Sequence, residues 1–171
     1  MDTKRFSKKP FPPYRFIPGQ KPHPTESPQG HSYKKQEEAV LPFEHHNWQR
    51  NPTYLYGVDL YNHGYWWEAH EAFESLWQKI PKSDLRSSFL QGLIKISAAL
   101  LKRHLNQERG TLILLKSGMG LLKKVSEISL VYMGIGLSDY LQRIEKYFYQ
   151  PNATNATESD HENYPFLILS V

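Results

Sequence analysis

The chain has 171 residues, a length that suits one domain able to bury its own core, with 39 % hydrophobic and 13 % aromatic residues. It has no cysteine, which excludes disulfides, a thiolate nucleophile and cysteine-bound metal, so any metal would need His, Asp or Glu. The net charge of +4 is uneven, because residues 1–35 carry eight Lys/Arg against Asp2 and Glu26 and leave the remainder slightly acidic.

No apolar run reaches the length of a signal peptide or a membrane span, so the reading is a non-membrane protein of the cytoplasm. The basic leading arm carries no nucleic-acid reading motif and the body is near neutral, so there is no strong nucleic-acid signal. Oligomeric state is not encoded in any pattern visible here.

Residues 1–42 hold eight of the twelve prolines, too many fixed φ angles and missing donors for a helix, and are expected to form an extended Pro-rich basic arm. Phe11, Tyr14, Phe16, Ile17 and Tyr33 are spaced among these prolines, which predicts partial order over 12–33 along the surface of the body. A helical bundle domain is then expected over 43–150 and a flexible C-terminal tail over 151–171, whose stretch 151–163 has Asn-Ala-Thr twice in succession and no apolar pattern.

The fold class expected is all-α, a small antiparallel bundle of about five helices. Pro52 suits a first helical position and Gly64 a left-handed stop, giving helix one over 52–62. Helix two is expected over 65–80, before Pro81, and helix three over 85–104 after an N-cap at Ser83 or Asp84. Apolar residues on helix three (Leu85, Phe89, Leu90, Leu93, Ile94, Ile96, Leu100, Leu101) cover most of its circumference, which makes it the expected central helix. Helix four is expected over 111–125, with Gly118 and Gly120 allowing close backbone approach, and helix five over 138–149. The apolar runs 129–135 and 166–171 are ambiguous between strand and helix.

Helix two carries the chemistry. Tyr65, Ala69, Ala72, Phe73, Leu76, Trp77 and Ile80 fill its apolar arc, while His70 and Glu74, four residues apart, lie one above the other at the edge of that arc. A neutral imidazole nitrogen and a carboxylate at this spacing converge on one point and suit a divalent metal ion or general acid/base work. The same pair equally fits a purely structural contact in which two polar groups satisfy each other beside Trp77. Glu71 and Glu68 lie further round, Glu68 toward solvent. Further metal ligands are sought in His23 and His31 of the arm, although loop histidines are more often simply solvated. The stretch His70-Glu71-Ala72-Phe73-Glu74 lacks the second histidine of a zinc-protease helix.

The stretch from Tyr61 through Trp67, His70, Glu74 and Trp77, followed by Phe89-Leu90-Gln91-Gly92-Leu93-Ile94, resembles the uncharacterised family known as domain of unknown function 309. Its H-x-x-x-E-x-x-W hallmark falls on His70, Glu74 and Trp77, with Trp67, Gln91 and Gly92 as further motif positions, and the likeness spans about residues 51–125. The segment from Pro12 through Pro22-His23-Pro24 to His31 and Tyr33 is similar to an extension carried by one branch of that family. The resemblance implies a small helical bundle and, loosely, a metal-dependent hydrolase, with no substrate attached.

Two readings stay open. In one, His70 and Glu74 hold a divalent metal ion with Glu71 as a base, and the arm closes a site for an unknown small molecule. In the other, the protein is a non-catalytic binding or scaffold protein, and His70, Glu74 and Trp77 lock helices together while the arm recruits a partner.

Overall fold

In the computed structural model the described residues are 4–35, 40, 43–149 and 164–170. A 3₁₀ segment, His45–Arg50, leads into five α-helices: α1 Pro52–Asn62, α2 Trp66–Trp77, α3 Leu85–His104, α4 Glu108–Ser126 and α5 Leu137–Tyr149. Between α4 and α5 lies a two-stranded antiparallel hairpin, β1 Val131–Tyr132 and β2 Ile135–Gly136.

Local chemistry sets the helix ends. Asn51 caps α1 by accepting from the Tyr54 amide at 2.8 Å with Pro52 in the first turn, and Asp84 caps α3 by accepting from the Arg86 amide at 2.8 Å. Gly64, at φ +78°, makes the left-handed exit from α1. Helix α2 stops three residues short of the expected 80, because the chain turns through 78–80 ahead of Pro81.

The central helix is α3, packed most extensively on α4 and then α2. Phe89, Leu90, Leu93, Ile96 and Leu100 are all buried, and Leu115, Leu122 and Val125 of α4 meet them from one side. Gly92 and Gly118 let α3 and α4 approach closely: a β-carbon at Gly118 would lie 3.2 Å from the Gly92 carbonyl oxygen. Gly120, expected to serve the same purpose, instead faces open space.

The ambiguous run at 129–135 resolves as the hairpin. Met133 and Gly134 both have positive φ, +45° and +80°, which a two-residue turn matching the strand twist requires. The turn is pinned from inside, since Tyr54 Oη donates to the Met133 carbonyl at 2.8 Å and Trp48 packs against Gly134.

Of the tail expected to be flexible, residues 151–163 and 171 lie outside the described residues. Residues 164–170 differ from that expectation: they are docked, because the 166–171 run supplies buried apolar anchors. Leu167 and Leu169 are buried, Leu169 bridges to Ile135, and Asn62 both donates to the Leu167 carbonyl and accepts from its amide at 2.9 and 2.8 Å.

The arm contacts α1 and α2 from Arg5 to His31, starting earlier than the 12–33 expected. Phe16 and Ile17 are buried, and Phe6 and Phe11 pack against the core. Two acids of the body hold its backbone. Asp59, fully buried, accepts from the Phe6 and Ser7 amides at 2.8 Å each and from Ser7 Oγ at 2.6 Å, while Glu68 accepts from the Phe16 amide at 2.8 Å.

Candidate functional site

One turn of α2 brings His70 and Glu74 together as the spacing required. His70 Nε2 lies 3.4 Å from Glu74 Oε2 and 3.9 Å from Glu71 Oε1, and one donor atom from each of the three residues falls within 4.8 Å of the others. The side chains are 31 %, 34 % and 47 % exposed for His70, Glu74 and Glu71, so the group forms a shelf open to solvent. It is not sealed from solvent. Glu71 reaches the group from its own helix, without the neighbouring helix that its position on the wheel suggested it would need.

Trp77 stands a turn beyond Glu74, with Lys82 Nζ 2.9 Å above its ring. Its indole N–H is buried and finds no partner among the described residues. Gln91 is half-buried on α3, and Gly92 serves the α3–α4 contact.

The arm histidines go elsewhere. His31 Nε2 lies 3.3 Å from Glu68 Oε1, its Nδ1 is 2.9 Å from Ser32 Oγ, and its side chain is only 6 % exposed. His23 sits against Phe16 and Trp67, with ring centroids at 5.0 and 5.4 Å, and its Nδ1 accepts from the Glu26 amide at 3.3 Å. Neither is in the donor group around His70, because each is bound in the packing of the arm on α2. Trp67 is the platform for that packing, its ring 5.4 Å from Phe16.

Glu68 is the main correction to the wheel, which placed it toward solvent. The arm covers it, leaving its side chain 5 % exposed, and one carboxylate oxygen, Oε2, has no partner among the described residues. Burial pushes this carboxyl above its ordinary value, against the opposing hydrogen bonds from its own backbone, the Phe16 amide and His31. Burial also holds the His104 imidazole below its usual range, helped by the nearby Arg15 charge, and the ring packs on Trp66 at 5.4 Å.

Two acids that hold the arm, Asp59 and Glu68, were not singled out by spacing. The available signal was an acid inside an apolar run, Val58-Asp59-Leu60 most plainly, which in a helix buried on several sides demands a specific donor.

A nitrogen and two carboxylates make a donor set suited to a divalent ion of the zinc, manganese or iron type. Residues 54–114 match the family model described as Domain of unknown function (DUF309). That span includes His70, Glu71, Glu74, Trp77, Gln91 and Gly92, and excludes the arm, the hairpin and α5. No curated protein matches the chain. Among the described residues, no helix is long and apolar enough to cross a membrane.

Proposed function

We propose that His70, Glu71 and Glu74 form a divalent-cation site and that the protein is a metal-dependent hydrolase acting on a small molecule. The convergence of three donor atoms within 4.8 Å on one helix carries this reading. Two carboxylates around one imidazole favour a doubly charged ion, and the open shelf leaves room for substrate beside it. A bound cation would supply Lewis-acid polarisation and a more acidic water. Within the chain, His70 and Glu74, 3.4 Å apart, would be the paired ligands, and Glu71, the most exposed of the three, has a second carboxylate oxygen with which to take a proton from substrate. Phe16 and His23 are seated on Trp67, three residues before His70 on α2.

A scaffold reading rests on a different observation: His70 and Glu74 already satisfy each other at 3.4 Å, as a structural pair would. Elemental analysis of untagged protein, wild type beside His70→Ala and Glu74→Gln, separates the two. Stoichiometric metal present in the wild type and lost in the variants supports the hydrolase reading. No metal in any of them, even after zinc, manganese or iron is added, overturns it and leaves the scaffold.

A further inference from the structure

The arm crosses α1 and α2 in a groove with aromatic walls and polar groups aimed at the arm's backbone. Phe11 is enclosed by three rings, Tyr65 at 5.0 Å, His63 at 4.7 Å and Tyr56 at 6.5 Å, and the Arg5 guanidinium covers it at 4.1 Å. The carbonyls on either side are read by hydroxyls: Tyr56 Oη donates to Pro10 O at 2.9 Å and Tyr65 Oη to Pro12 O at 3.4 Å. Proline offers a carbonyl and no N–H, so tyrosine hydroxyls on an aromatic groove are the donors that recognise a proline-rich chain. Lys9 lies 4.9 Å over the Tyr56 ring, and upstream the buried Asp59 carboxylate takes two backbone amides and lies 3.7 Å from Arg5 Nε.

We infer that this groove is a peptide-recognition surface, and that its ligand in trans is the same segment, residues 5–17, of a second copy of this chain. The fit of that segment is the one visible in the structure, down to each carbonyl and ring, and none of its contacts depends on the segment and the groove belonging to one molecule. Charge matches this occupant to the groove: Arg5, Lys8, Lys9 and Arg15 are on the arm, and the acids Asp59 and Glu68 are in the body that receives it. An exchanged arm would carry Phe16, His23 and His31 with it, so the groups packed on Trp67 and Glu68 would come from the partner copy. Within one molecule the tether gives the arm an effective concentration of order millimolar, so the exchanged form accumulates only where the protein approaches that range or where the contact in cis is broken.

Two full-length variants test this by complementation. Phe11→Ala/Phe16→Ala keeps a sound groove but a defective arm, and Asp59→Asn/Tyr65→Ala keeps a sound arm but a defective groove. Sedimentation should find each alone monomeric and the mixture a 1:1 heterodimer that excess peptide of residues 4–17 dissolves. The same peptide, fluorescently labelled, should bind the Phe11→Ala/Phe16→Ala protein at least tenfold more tightly than wild type, a measurement that needs only one variant to fold. A mixture that stays monomeric while the peptide binds overturns the second copy as occupant and points to a foreign proline-rich chain. No peptide binding overturns the groove as a recognition surface.

Discussion

Replacing Gly92 by alanine would set a β-carbon 2.7 Å from Leu122 Cγ and 2.8 Å from Leu122 Cδ2, with the Gly118 carbonyl oxygen at 3.4 Å. Carbon atoms in contact prefer about 3.5–4.0 Å, so Leu122 must change rotamer or α3 and α4 must part by roughly 1 Å. Leu122 has no free end to move into, since it is fully buried between α3 and the rest of α4. Overpacking of this kind costs about 1–3 kcal/mol, while alanine regains about 1 kcal/mol of helix propensity. The expected net loss is about 0–2 kcal/mol, or up to roughly 8 °C in Tm for a chain of this size. Chemical denaturation of Gly92→Ala, Leu122→Ala and the double variant completes the cycle. Leu122→Ala alone should cost about 2–5 kcal/mol by leaving a cavity, and the added methyl at position 92 should refill part of it. The double variant should therefore be more stable than the sum of the single effects by about 1 kcal/mol or more. Strict additivity would refute the claim that this motif position exists for packing.

Three further outcomes follow from the arm and the docked C-terminal residues. Asp59→Asn removes charge-assisted acceptors worth about 1.5–3 kcal/mol each, but the cost is capped because the arm can detach and wet its own amides; hydrogen exchange at Phe6 and Ser7 should quicken at least tenfold while α3 amides stay unchanged, and slow exchange there would mean that the arm is held by other contacts. Glu68 binds its proton more tightly folded than unfolded, so it contributes a stability loss as pH rises through the carboxylate range. Against Glu68→Gln, which has no such proton, wild-type stability should therefore decline as pH rises above the ordinary glutamate value of about 4.3, and a difference independent of pH would show that Phe16 and His31 fully offset the burial. Leu167→Ala should cost about 2–5 kcal/mol if 164–170 belongs to the cooperative core, and a loss below about 1 kcal/mol would show that this segment comes away first.

The helices were legible because their signals are local. Periodicity, Pro52, a cap at Ser83 or Asp84 and Gly64 placed the ends of α1 and α3 closely, and the four-residue spacing of His70 and Glu74 gave their contact. What the pattern missed depends on partners distant in sequence. Glu68 lies on the polar side of its own helix and becomes buried only because the arm, some 52 residues earlier, folds over it. The hairpin needed Met133, a poor residue for positive φ, to accept a left-handed turn because Trp48 and Tyr54 hold it from beneath. His23 and His31 share a residue type with metal ligands, and nothing in spacing shows that their rings are taken up by Trp67 and Glu68.

Helix α1 is only 11 residues long, yet it bonds to chain far away in nearly every direction. Asp59 holds Ser7 across 52 residues, Tyr54 reaches Met133 and Tyr61 reaches Tyr140 across 79, and Asn62 clasps Leu167 across 105. Each of these links must close a long loop before it returns any stabilisation, whereas α3 and α4 meet through a short connection. The α3–α4 hairpin is thus the natural nucleus, and α1 the piece whose docking waits on both flanks of the chain. Mutations at the α3–α4 crossing should therefore slow folding, while those that loosen α1 should mainly hasten unfolding.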